Sequence, residues 1–313
     1  MALGNGDTRH ISGTSERGQR RARHGTVRRY GQVPYVLPAL LTAAVISVYP
    51  LINMLRMSIS KVGPADLLAE WQGIGLENYQ ELLSSGEFWY SVRATFYLTM
   101  GLIVSNLVVG YIGALTLSRR GRLSSAVLGL MVFIWALPPL VSGSVWKFML
   151  TGDGAVNAGL QLFGIAPISW LSSPDIALGS LTFVTAWAAL PFSILIIRGG
   201  LLGIPPDVLE AADIDGAGAI RKSVSVIVPL LRPTFGVLLI LTIIYSFRSF
   251  DFVYVMTGGG PGRITSTLPF YAYDTAFGTY QFGIGSAIAA LSMIIIVVLA
   301  VPYVLSVRKE DEG

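Results

Sequence analysis

Arg248 and Asp251 interrupt an otherwise uncharged apolar run, Thr234 to Met256, that is long enough to be one helix. Three positions apart, they fall on one face of such a helix, and ionised groups at membrane depth face an aqueous cavity or a partner. Arginine donates paired hydrogen bonds to hydroxyls or to an anionic group, aspartate accepts from hydroxyls, and the neighbouring Tyr245, Phe247 and Phe250 can stack on a flat ring. The set reads either as the lining of a solute pathway or as an intrahelical ion pair that holds an interface together; in sequence the two look alike. Trp187 and Phe192, in another apolar run, read as packing or as further lining of the same cavity.

Other chemistry is scarce. There is no cysteine, and the only histidines, His10 and His24, lie in a polar N-terminal stretch. Without imidazole or thiolate among the apolar runs, no metal site is expected. A membrane-embedded transferase would need His, Asp or Ser clustered at one interface, and no such cluster is visible, so no catalytic residue is assigned. A phosphate-cradling G-x-x-x-x-G-K-[ST] loop is also missing. The nearest text, Gly216 to Ser223, lacks the glycine before Lys222.

These residues need elements to hold them, and the composition says what kind. Charged residues make up 13% of the 313-residue chain and the mean hydropathy is +0.64, against roughly 25% charged in a soluble domain. A bilayer core of about 30 Å takes about 20 apolar residues as helix. Residues 30–55, 94–118, 123–146, 176–197 and 275–307 contain no charge. Helical spans are expected near 33–55, 94–117, 123–146, 176–197, 234–256 and 284–307, and Pro138-Pro139 should bend or break the third. With the N-terminus inside, 16 Lys and Arg lie on the cytoplasmic side against five outside, which places both termini in the cytoplasm. Residues 1–31, with seven arginines, read as a disordered basic tail, and 309–313 as a short C-terminal tail. The basic residues are not interleaved with aromatics along one face, so no nucleic-acid partner is expected. Outside, Leu76, Tyr79 and Leu83 at helical spacing suggest a short amphipathic helix lying on the membrane surface, and Gly258-Gly259-Gly260-Pro261 a turn with positive φ.

The cytoplasmic loop 199–233 is too long and too patterned for a connector. Pro206 suits a first helical position, Asp207 and Glu210 favour the positive helix end, and Gly216 can close the C-terminus, giving a helix from Pro206 to Asp215. A second helix follows, with Ile220, Ser223, Val224, Ile227 and Val228 on one face and Pro229 and Pro233 ending it.

Glu210-Ala211-Ala212, three residues, Gly216, nine residues and Val226-Ile227-Val228-Pro229 together resemble the EAA loop of ABC import permeases, with valine at two positions where that pattern has Ile and Leu. Gly75-Leu76, Asn78-Tyr79, Phe88-Trp89, Trp187 with Pro191-Phe192, Phe250-Asp251, Thr257 to Pro261, and Tyr273, Phe277 and Gly285-Ser286-Ala287 resemble the carbohydrate-importing branch of that family, the maltose-type and glycerol-phosphate-type permeases. Residues 1–30 lie outside the likeness.

The resemblance implies an all-α membrane protein with the six-helix type I ABC importer permease fold, multi-pass in the bacterial inner membrane. It implies a coupling helix made by Glu210, Ala211, Ala212, Asp215 and Gly216, with Pro229 behind it, docking on a separate ATPase subunit. It further implies a second homologous permease as heterodimer partner, two ATP-binding subunits that hold ATP and magnesium, an external solute-binding protein, and a surrounding lipid phase. No cofactor is expected in this chain. On the same resemblance the transported solute is expected to be a sugar or sugar-like molecule, with glycerol phosphate or amino acids as the alternative class. A secondary transporter or a membrane-embedded transferase is the remaining alternative; neither needs such a loop, and a secondary transporter often carries inverted repeats, of which none is visible.

Overall fold

Backbone groups in a bilayer must be satisfied within the chain, so runs of apolar residues fold as helices. The computed structural model describes residues 33–118 and 121–311; the expected basic tail over 1–31, together with Arg119 and Arg120, lies outside the described residues. The chain divides into two units, Met1–Tyr49 and Pro50–Gly313. Of the first, residues 33–49 are described and are helical throughout, as the start of α1 (Val33–Ser58).

In the second unit a two-residue antiparallel ladder, β1 (Ser60–Lys61) with β2 (Gln72–Gly73), precedes the short helix α2 (Glu77–Ser84) and the long helix α3 (Gly86–Leu117). Two helices follow, α4 (Arg122–Ala136) and α5 (Pro139–Met149), bent by 99° at Leu137-Pro138. Leu137 is extended (ψ 134), as the residue before a proline prefers, so the proline pair breaks the expected third span into two helices. The short α6 (Ala155–Gln161) leads to α7 (Ala177–Leu202), the loop helix α8 (Pro206–Ile214), and α9 (Ala219–Leu230), which meets α10 (Arg232–Arg248) at 70°. The chain ends with α11 (Phe250–Met256), α12 (Leu268–Tyr273) and α13 (Phe282–Asp311). The last helix continues through residues 309–311 without a break.

Among the described residues four helices are long and apolar enough to cross a membrane, or up to six if each bent pair counts as one span. α3 packs along α7 and α10, α11 against α5, and α12 against α13. Three clusters fill these contacts. Leu98, Leu102, Leu181 and Phe252 centre the first, Leu82, Phe88, Leu268 and Ile288 the second, and Ala114, Ile194, Ile197 and Leu231 the third.

Buried asparagines organise the connecting segments. Asn78 donates to the Ser58 and Ser60 carbonyls (2.9 and 3.1 Å), and Asn157, fully buried, donates to the carbonyls of Thr151, Gly152 and Ile168 while accepting from the Ile168 amide and the Trp170 indole. The first lies in the expected short helix: α2 buries Asn78 and Leu82, whereas Leu76 and Leu83 are exposed. Loop carbonyls demand donors, so the polar residue is the one turned inward. Gly258 and Gly259 both take positive φ in the turn before Pro261.

The expected fifth span is also divided. Ser249 leaves the helical region (φ −79, ψ 62), and its amide donates to the Ser246 carbonyl three residues back. Arg248 thus closes α10 while Asp251 sits in the first turn of α11, and no ion pair joins them. A regular helix would have put both on one face; the break at Ser249 removes that register.

Candidate coupling loop and solute cavity

The loop helix begins where two prolines fix the chain. Pro205 is extended (φ −58, ψ 133) and Pro206 takes the first helical turn, where no backbone donor is lost. It ends in a tight turn: the Gly216 amide donates to Asp213 O (3.1 Å) and the Ala217 amide to Ala212 O (3.0 Å), with Gly216 at φ +72. This is the paired 5→2 and 6→1 bonding of a Schellman motif. Asp215, expected as the last helical residue, is therefore the cap. Ala212 is buried, while Glu210, Ala211, Asp215 and Gly216 are exposed. Val208, Ile214 and Ile220 are exposed beside them, Ile214 at 86% and Ile220 at 82%.

α9 departs from the expected single apolar face. A π-type turn over Ser223–Ile227 adds a residue to the helical repeat. As a result Ser223 turns inward to hydrogen bond Tyr111 (2.6 Å) and Ile227 packs on the third cluster, whereas Ile220 and Val224 point outward. Pro229 does not end this helix. It lies in the final turn, Val228–Leu230, where the preceding π-type turn already pairs the Val228 amide with Ser223 O. The change of direction comes at Leu231, and Pro233 starts α10.

Several contacts fasten the loop. Lys222 pairs with Asp213 across its two legs, and the Arg198 guanidinium donates to Leu117 O at the end of α3 (3.1 Å). Leu231, 1% exposed, packs with Ile194, Ile197 and Leu238. A Cβ at Gly200 would lie 2.9 Å from Leu231 Cδ2 and 2.7 Å from Thr234 Oγ1, so glycine lets α7 approach the bend closely.

The expected pathway residues separate into two groups. Phe192, Tyr245 and Arg248 line one cavity of about 240 Å³ together with Asn106, Trp135, Ser193 and Thr242. Phe192 and Trp135 stack on one another at its edge, their rings 5.4 Å apart and 13° from parallel. Arg248 is exposed and makes no ion pair among the described residues. The others do not line this cavity. Trp187 packs edge-on against Trp146 (5.4 Å), Phe247 joins the second cluster, and Phe250 stacks among Phe270, Tyr254 and Tyr273. Asp251 is half-buried on α11.

Residues 106–309, which carry both the loop and the cavity, match the family described as "binding-protein-dependent transport system inner membrane component". The chain belongs to this family. Among its relatives, the trehalose/maltose transport system permease protein MalF of Thermococcus litoralis is 32% identical, covering 86% of this chain and 90% of that one. The diacetylchitobiose uptake system permease protein DasB of Streptomyces coelicolor is 33% identical over 89% and 88%. A crystal structure of a bacterial ABC transporter involved in import of the acidic polysaccharide alginate superposes with a TM-score of 0.74 at 18% identity, covering 88% of this chain and 94% of that chain. The ABC importer permease fold is thereby shared.

In this inner membrane component, the sequence does not reveal the partners that hold the candidate loop and cavity. Tyr111, Arg198, Asp213 and Lys222 carried no periodic signal that pointed to the loop. Asn106 had one: a lone amide in an uncharged helix needs a partner.

Proposed function

We propose that this chain is one of two related permease subunits of an ATP-driven importer for a sugar or sugar-like solute. In this reading six spans cross the membrane, counting α4 with α5 and α10 with α11 as one each, and both termini are cytoplasmic. The exposed α8 carries it: a short helix, closed by a glycine turn and braced on the transmembrane clusters through Leu231, is a lever suited to a groove on another protein. Glu210 on its open side can pair with a basic residue there, and small Ala211 allows close approach. Two ATP-binding subunits would bind ATP and magnesium, and this chain would turn their closure into a change of access. The family's dependence on a binding protein supports an external delivery subunit that brings the solute to the outer mouth.

The carbohydrate class is supported by the relatives' trehalose, maltose and diacetylchitobiose and by the cavity. An aromatic pair suits the apolar face of a sugar ring, while Tyr245 and Arg248 offer donors for its hydroxyls. Arg248, without an ion pair among the described residues, also favours one variant of this reading, a sugar that carries an acid group.

The test is uptake by the complete complex in proteoliposomes, with the binding protein outside and ATP inside. Maltose, trehalose, N,N′-diacetylchitobiose and an anionic sugar form the panel. ATP-dependent accumulation of at least one is expected; accumulation of none, in a complex that hydrolyses ATP, contradicts the carbohydrate reading.

A further inference from the structure

Asn106 is 2% exposed, and its side-chain oxygen has no hydrogen-bond partner among the described residues. Its amide nitrogen donates to Thr242 Oγ1 (3.2 Å) on α10. Buried acceptors are paired as a rule, and an exception calls for a reason. Reversing the amide would leave its nitrogen without a partner, so one polar end is free in either setting.

The backbone is built to present this group. α3 is regular except for one π-type turn, Ser105–Val109, and Asn106 is inside it. Such turns insert a residue into the repeat and are frequent at functional sites. Further along the same interface Thr99 shares a hydrogen bond with Ser246 (2.8 Å), and Thr95 Oγ1 accepts from the Leu268 amide (2.8 Å), while the buried hydroxyls of Ser249, Ser266 and Thr267, away from the cavity wall, also lack a partner among the described residues. These pairs already join α3 to α10 and α12, so helix adhesion does not require an unsatisfied amide. What distinguishes Asn106 is its place in the wall of the 240 Å³ cavity, with the Trp135–Phe192 surface, Tyr245 and Arg248.

We propose that Asn106 is a specificity-determining residue of that cavity, whose free amide oxygen accepts a hydrogen bond from a hydroxyl of the passing solute. This rests on the carbohydrate reading above. Its volume lies below the roughly 300–1,000 Å³ of pockets for drug-sized ligands, so the cavity takes one ring of an oligosaccharide at a time. Thr242 holds the amide nitrogen, and the oxygen, out of solvent contact in this structure, takes the hydroxyl once a neighbouring side chain of the cavity moves aside for the solute. A solute lacking that hydroxyl leaves the acceptor unpaired and is disfavoured.

The experiment uses the assembled complex and the panel sugar that the unaltered complex accumulates. Asn106→Ala is expected to raise the half-saturating concentration for uptake about tenfold, the equivalent of one hydrogen bond, and to abolish discrimination against one monodeoxy analogue of that sugar. A purely structural amide would lower the maximal rate alike for sugar and analogues. Asn106→Cys gives a second readout, because the chain has no cysteine of its own: modification by 2-aminoethyl methanethiosulfonate, followed by the mass of this chain, should slow in saturating sugar. The labelling decides the matter if the alanine variant does not assemble. Unchanged selectivity, or labelling indifferent to sugar, overturns the role of Asn106 while leaving the carbohydrate reading intact. Failure of the unaltered complex to take up any sugar overturns both.

Discussion

Gly216→Val is expected to reduce ATP-driven uptake at least about tenfold while the chain still folds and assembles with its partner permease. The backbone at Gly216 is left-handed (φ +72), where a side chain costs about 1–2 kcal/mol and a β-branched one more, and each 1.4 kcal/mol is worth a factor of about ten. Space is not the obstacle, since a Cβ there would meet nothing within 4 Å. The strain falls on the two bonds that close α8, Gly216 to Asp213 and Ala217 to Ala212, and so on the angle at which Glu210 and Ala211 are presented. Gly216→Asn should recover most of the activity, because asparagine tolerates the left-handed region. Uptake and ATPase co-purification, measured on both variants, check this. Equal loss with valine and asparagine would mean that the side chain itself, and not the turn, is what matters.

Leu231→Ala is expected to uncouple the machine. Leu231 stands at the 70° bend between α9 and α10, its amide bonded to Ile227 O and Val228 O and its side chain buried against Ile194, Ile197 and Leu238. Truncating a buried leucine costs about 2–5 kcal/mol when the site cannot collapse. The cavity would open at the joint between the loop and the transmembrane helices, and a lever with a loose joint transmits less displacement. ATP hydrolysis should continue with a much smaller yield of solute per ATP, and thermal unfolding should move to lower temperature. Leu231→Met, close in volume, should restore the ratio. An unchanged transport-to-hydrolysis ratio in a destabilised Leu231→Ala complex would show that motion enters by another route.

Both residues illustrate how far the sequence carries. Gly216 and Pro206 were legible, because positive φ and a missing backbone donor are properties of the residue type itself. The break at Pro138-Pro139 was legible for the same reason. Leu231 was not, since one leucine among many becomes the buried corner of the bend only when α7 is packed beside it. The π-type turns at Ser105–Val109 and Ser223–Ile227 were equally silent: they shift the register by one residue, so the outward and inward faces of α9 were misread from a 3.6 period. At Ser249 an ordinary residue leaves the helical region and separates Arg248 from Asp251. The cavity was half visible. Phe192, Tyr245 and Arg248 stand out in the sequence by their chemistry, but Trp135 and Asn106 join them only through the packing of α3, α4, α7 and α10, which no local pattern encodes.

Force entering through α8 is the claim on which the transport mechanism rests, and a cysteine at its open side tests it most directly. In a chain with no native cysteine, Glu210→Cys carrying a short thiol-reactive cross-linker reports only on what the helix touches. The account predicts a cross-link to the ATP-binding subunit in the assembled complex, with a yield that changes between nucleotide-free and ATP-bound states. A complex that takes up solute normally yet yields no cross-link from this position to that subunit would contradict it.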